Sequence, residues 1–145
     1  MSVTREAREF AAAARRHHDD AELLRTHGRL PNADYHYGFV VECVLKSLLL
    51  MYLGATMANN KPAIRKDKLG HMPGMWDRTK IEARGRSATR LASALGGTNP
   101  FRDYRVDHRY LGEPQLEEGT LAERRRAAQR ILELHQWAFI AGGLR

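Results

Sequence analysis

The sequence predicts an all-α protein, an antiparallel (up-down) four-helix bundle with a long loop before its last helix. Three observations carry this. Apolar residues recur at helical spacing through four segments, and clusters of Gly, Asn and Pro separate those segments. No run alternates apolar and polar residues well enough to suggest a strand, and no internal repeat or low-complexity tract is present.

The first helix is expected over residues 3–27, where Val3, Ala7, Phe10, Ala14, Ala21 and Leu24 lie at mostly helical spacing with charges between them. Gly28 supplies the stop. Pro31 opens the second helix, because its missing N–H costs nothing in a first turn. That helix, residues 31–53, carries Ala33, Tyr37, Val40, Val41, Val44, Leu45, Leu48, Leu49 and Tyr52, a stripe broad enough to contact more than one neighbour. It is the central helix. Gly54, Asn59, Asn60 and Pro62 then break the pattern and open a flexible basic loop to about residue 70.

A third helix is expected over residues 72–95, with Met75, Trp76, Ile81, Ala88, Leu91 and Leu95 inward and Gly85 as a weak point. Met72 joins that core. Gly96, Gly97, Asn99 and Pro100 end it, a loop of roughly twenty residues follows, and helical spacing resumes over residues 121–140 through Ala128, Ile131, Leu132, Ala138 and Phe139.

At 145 residues the chain fits a single domain, 1–145, able to bury a core without a disulfide or metal. The one cysteine, Cys43, lies in an apolar run and reads as a small buried hydrophobe, which suits a reducing, cytoplasmic setting. Residues 1–9 lack the apolar segment of a secretory signal. The apolar stretch 35–56 is long enough to span a bilayer, but Glu42 and Lys46 interrupt its centre, so no membrane partner is expected.

The net charge is +7 with a pI near 10.0. Most of the excess sits between residues 61 and 90, where Lys61, Arg65, Lys66, Lys68, Arg78, Lys80, Arg84, Arg86 and Arg90 face only Asp67, Asp77 and Glu82. Such a stretch attracts phosphate backbones without sequence preference. Three readings stay open: contact with nucleic acid or nucleotide, a solvated basic face, or an acidic protein partner. Glu42 and Lys46, four residues apart with the acid on the favourable N-terminal side, read as a partly buried pair or as groups orienting a site. His17-His18-Asp19-Asp20 does not read as a metal site, since adjacent helical residues diverge and only His18 with Glu22 has convergent spacing. No Walker loop, dinucleotide fingerprint, zinc-type cysteine pairs or serine elbow is present, so no cofactor is expected.

Four segments carry a family resemblance. They are Ala14-Arg15-Arg16-His17-His18-Asp19-Asp20-Ala21-Glu22-Leu23-Leu24 with Gly28-Arg29 and Asn32-Ala33-Asp34-Tyr35-His36; Gly38-Phe39-Val40-Val41-Glu42-Cys43-Val44-Leu45-Lys46-Ser47-Leu48; Gly70-His71-Met72 with Trp76; and residues 102–110. In order and spacing these resemble the HEPN (higher eukaryotes and prokaryotes nucleotide-binding) family over about three quarters of the chain. The resemblance implies a small helical bundle, usually dimeric. Its members include metal-independent endoribonucleases, toxins neutralised by nucleotidyltransferase antitoxins, and domains without catalysis; fold alone does not choose among them.

Catalytic members carry an arginine and, four to six positions on, a histidine near the last core helix. Arg102-Asp103-Tyr104-Arg105-Val106-Asp107-His108 has that form. The chemistry needs a group to move a proton at the 2′-hydroxyl or leaving oxygen and a cation for the phosphoryl oxygens. His108 and Arg102 suit those roles, with Glu42, Lys46, Asp103, Arg109 and Tyr110 in support and Lys61, Arg65, Lys66, Lys68, Lys80, Arg84 and Arg86 holding RNA. A homodimer would bring a second histidine. In one subgroup the region reads Asp, aromatic, Val and Arg-Tyr with a variable histidine position, which His108-Arg109-Tyr110 also resembles. Residues 102–109 have a structural reading too, in which Arg102, Arg105 and Arg109 pair with Asp103, Asp107 or helix carbonyls and pin the loop to the bundle. The expectation is thus a homodimeric RNA-cleaving or toxin-like protein; the alternative is a non-catalytic module that binds a nucleotidyltransferase-type partner or nucleotides.

Overall fold

A computed structural model describes residues 4–113 and 116–145. Among the described residues five α-helices, a short 3-10 helix and a small three-stranded sheet enclose a hydrophobic core. α1 (Arg5–Thr26) is capped by Thr4, whose hydroxyl accepts from the Ala7 amide at 3.1 Å. It presents Ala7, Ala11, Ala14 and Ala21 inward, and these small residues let it lie along α2 (Leu30–Tyr52) for most of its length. Gly28, at φ +73°, makes the turn between them.

α2 is the central helix. Tyr37, Val40, Val41, Val44, Leu45, Leu48 and Leu49 are fully buried, because the helix is covered by α1 on one side and by α5 (Glu118–Ala141) on another. Ser47 ties the three together. Its hydroxyl donates to the Ala7 carbonyl at 2.8 Å, and its oxygen lies 2.9 Å from His135 Nε2, which therefore carries the ring proton. Gly142, at φ +78°, ends α5.

The segment after α2 differs from the expected loop. It folds into an antiparallel meander of β1 (Thr56–Ala58), β2 (Lys61–Ile64) and β3 (Asp67–Lys68), with Ala58 opposite Lys61 and Ile64 opposite Asp67. Each turn has two residues, Asn59-Asn60 and Arg65-Lys66, all four with positive φ, the backbone that matches strand twist. Ala63, Ile64 and Leu69 are buried, so the meander belongs to the core.

The third expected helix is two. α3 (Gly74–Gly85) and α4 (Thr89–Ala94) are separated just after the weak point at Gly85, where Ser87 takes φ +55°. Ala88 N–H returns to the Ala83 carbonyl at 2.9 Å and closes the break. α3 buries Met75, Trp76, Thr79, Glu82 and Ala83, which leaves Ile81 on the opposite face, 68% exposed. Phe139 is likewise outward at 63% exposure, because Ala138 and His135 take the inner face of α5. The sequence places Ile81 inward, and the structure corrects this. The long connection before α5 holds a 3-10 helix, Val106–Tyr110. Among the described residues no helix is long and apolar enough to cross a membrane.

Candidate functional site

The connection from α4 to α5 is fastened to the bundle by its apolar residues. Asn99 starts it, giving an amide hydrogen to the Pro73 carbonyl at 3.1 Å and accepting from the Phe101 amide at 2.8 Å. Phe101 is fully buried against Trp76, with ring centroids 6.0 Å apart, and meets Tyr104 edge-on at 5.6 Å. The Tyr104 hydroxyl donates to the Tyr35 carbonyl at 2.9 Å, and its ring lies directly on Gly38, where a Cβ would overlap it. Burial, with Asp34 and Glu42 nearby, holds the Tyr104 phenol protonated far above neutrality.

Arg102 emerges between these two buried rings. Its guanidinium donates to the Asn99 carbonyl at 3.2 Å and lies 3.8 Å from Asp103, while remaining about half exposed. After Tyr104 the chain turns outward. Arg105 and Asp107 form an exposed two-bond pair at 3.0 and 3.1 Å, and His108 follows, half-buried. Arg102, Asp103 and His108 line one cleft of about 400 Å³, together with Asp34, Glu117 and Arg124. Tyr110 is 75% exposed. The Arg109 side chain lies outside the described residues.

Two residues of the cleft were not anticipated. Asp34 Oδ2 accepts from Arg124 at 2.7 Å, both side chains being more than nine-tenths buried. Arg124 also donates to the Pro100 carbonyl at 3.1 Å and lies over the rings of Phe101 and Tyr104 at 5.7 and 5.6 Å. The other oxygen, Asp34 Oδ1, is buried without a hydrogen-bond partner. Burial pushes the Asp34 carboxyl up, and Arg124 offsets this only in part. The positions carry a legible signature: Asp34 is three, four and seven residues before Tyr37, Gly38 and Val41, and Arg124 is three after Leu121 and four and seven before Ala128 and Ile131, so each places a charge on a buried stripe.

Glu42 and Lys46 belong to a different place. They form the partly buried pair, at 3.0 Å. Glu42 also accepts from the Met72 amide at 3.2 Å and lies 3.2 Å from His71 Nδ1, so its bonds run to the segment before α3 and none runs to Arg102. Lys46 faces a second cavity with Lys61 and Lys68.

The remaining basic residues are dispersed. Arg65 pairs with Glu82 at 2.6 Å, Lys80 donates to the Gly97 carbonyl at 3.2 Å, and Arg78 donates to the carbonyls of Asp67 and Lys68. Arg86 lies over Gly54 at the far end of α2. Lys66 and Arg84 are exposed. The stretch is thus wrapped around the meander and α3 and forms no single wall of the cleft.

The histidines of α1 pack sideways. His17 Nδ1 is 3.1 Å from His36 Nδ1, with Phe39 beside both rings, and His18 Nε2 is 3.6 Å from Glu22. Burial and mutual repulsion keep His17 low, and burial does the same for His36. Cys43 is half-buried, its thiol pushed up to about 11 by burial. No family model, curated protein or solved structure matches the chain.

Proposed function

We propose that the protein is a HEPN-type domain, with α1, α2, the α3–α4 pair and α5 taking the four positions of the bundle, and that it acts as a homodimeric, metal-independent endoribonuclease. One observation carries the reading: Arg102 and His108 open onto the same cleft, above a buried carboxylate with an unsatisfied oxygen. His108 takes the proton of a ribose 2′-hydroxyl, and the oxygen attacks the adjacent phosphorus. The 5′-oxygen leaves with a proton supplied by the same histidine of a second copy, giving a 2′,3′-cyclic phosphate and a 5′-hydroxyl end. Arg102 stabilises the charge on the non-bridging oxygens. Asp34 Oδ1 offers the acceptor that a ribose hydroxyl or the His108 ring needs in order to be held in place. The exposed side chains of Tyr110 and Leu111, beside His108 in the chain, suit a face that a second copy covers.

The test is cleavage of single-stranded RNA in chelating buffer with light scattering on the same sample. Wild type is expected to cleave as a dimer, and Arg102→Ala and His108→Ala to lose about 10²-fold or more while keeping the wild-type melting temperature. Undiminished cleavage by both variants removes the assignment.

A second reading has its own observation. α1 and α5 form an apolar groove floored by Ala7, Ala11 and Met51 beside the exposed Phe139 and Ile140, and rimmed by Arg8 and Arg15. This suits a non-catalytic module that binds a nucleotidyltransferase-type protein. Such binding survives His108→Ala. Reversing the charge of Lys80, Arg84 and Arg86 decides whether the basic stretch shares in it.

A further inference from the structure

The second cavity, of about 280 Å³, lies between the meander and the α1–α2 pair and is lined by Phe10, Lys46, Asn60, Lys61, Pro62, Lys68, Gly70 and His71. Its lysines come from three separate elements. Lys46 rises from the most apolar helix and is 9% exposed, its ammonium 5.8 Å from the centre of the Phe10 ring. Lys61 and Lys68 begin β2 and end β3, and are held there by the strand register on either side of the Arg65-Lys66 turn.

The charges around this cavity do not balance. Glu42 compensates Lys46 at 3.0 Å, and its remaining capacity goes to His71 and the Met72 amide. Among the described residues neither Lys61 nor Lys68 has a carboxylate partner. Lys46, Lys61 and Lys68 set three ammonium groups against the one carboxylate of Glu42, a balance of +2. Like charges gathered in a cavity with a low-dielectric wall repel one another, and an anion that enters relieves all of them together. Phe10 and Pro62 make that wall apolar, which favours an anion that carries carbon over a bare inorganic one.

We propose that this cavity is a binding site for a phosphomonoester dianion, the phosphate seated on Lys46, Lys61 and Lys68 and its organic part against Phe10 and Pro62. A phosphate monoester bears the charge that the cavity lacks, and its oxygens accept from several ammonium groups at once. The site is separate from the cleft of Arg102 and His108 and does not depend on RNA cleavage. A free nucleotide and the phosphorylated end of an RNA present the same chemistry.

Calorimetric titration tests it, with adenosine 5′-monophosphate, adenosine, and one RNA oligonucleotide with and without a 5′-phosphate. Wild type is expected to bind adenosine 5′-monophosphate at least about tenfold more tightly than adenosine, and Lys61→Gln/Lys68→Gln to lose about tenfold or more. The variant Arg29→Gln/Arg126→Gln removes the same charge from exposed residues outside the cavity and is expected to stay within about twofold of wild type. Tighter binding of the 5′-phosphorylated RNA than of adenosine 5′-monophosphate, lost when the 5′-phosphate is removed, assigns the site to an RNA end; tighter binding of the nucleotide assigns it to a free nucleotide. Equal binding of adenosine and its monophosphate, or equal losses in the two double variants, overturns the proposal.

Discussion

The connection between α4 and α5 changes character at Tyr104. Before it, Asn99, Phe101 and Tyr104 are buried, Asn99 donates to the segment before α3, the Pro100 carbonyl accepts from α5, and Tyr104 donates to α2. After it, Arg105, Asp107, Tyr110 and Leu111 are exposed, and the pairing of Arg105 with Asp107 is local. Arg102 is therefore mounted on the rigid part and His108 on the outer one. Under the proposed function this division suits the two roles, since a cation that holds phosphoryl oxygens gains from a stiff mount and a proton carrier completed by a second copy gains from an outer position.

The sharpest way to break this difference is to remove the floor on which the anchored half rests. Arg124→Ala strands Asp34 in the interior and is expected to destabilise the fold by about 3–5 kcal/mol, a fall in Tm of roughly 10 °C or more by calorimetry. Replacing both partners, Asp34→Leu with Arg124→Met, should recover most of that loss. Gly38→Ala pushes a methyl into the Tyr104 ring. It is expected to cost about 1–3 kcal/mol by urea denaturation, with cleavage reduced in proportion as Arg102 shifts.

The two halves also titrate in opposite senses. Burial raises the folded-state pKa of Asp34, so the folded protein takes up its proton first and this group adds stability as pH falls through the raised value. Hydrogen bonding and attraction to Arg105 lower that of Asp107, so its contribution is present above the ordinary aspartate range and is lost as pH falls through the lowered value. Carboxyl NMR titration should place Asp34 above an ordinary aspartate and Asp107 below it; the same order for both would erase the distinction. Asp107→Ala is expected to leave Tm unchanged within error, the smallest effect of the series, because the pair it breaks is solvated.

Much of the frame was legible in the sequence. The junction of α1 and α2 was read from Gly28 and Pro31, residues whose backbone chemistry stops or starts a helix, whereas the cap at Thr4 and the stop at Gly142 appear in the structure. The Glu42–Lys46 pair follows from helical spacing. The meander was hidden, because strands of two to four residues are too short to show alternation and the turn at Arg65-Lys66 uses residues that do not announce one. The division of α3 from α4 was marked by Gly85, but the left-handed Ser87 behind it was not predictable from its side chain. In the cleft, Arg102 and His108 were singled out by the family resemblance, and the structure brings both to one cleft. Asp34 and Arg124 were passed over because each looks like an ordinary surface charge until the buried stripe around it is counted.

Ser47 has a consequence for how the helices find one another. The inner face of α1 is a row of alanines at Ala7, Ala11 and Ala14, each one turn from the next, and such a face is nearly the same after a slip of one turn. Apolar packing alone distinguishes these alignments poorly. The Ser47 hydroxyl, held between the Ala7 carbonyl and His135, joins three helices at one polar point and couples their axial settings: α1 cannot slide along α2 without breaking a buried hydrogen bond that also orients Ser47 toward α5.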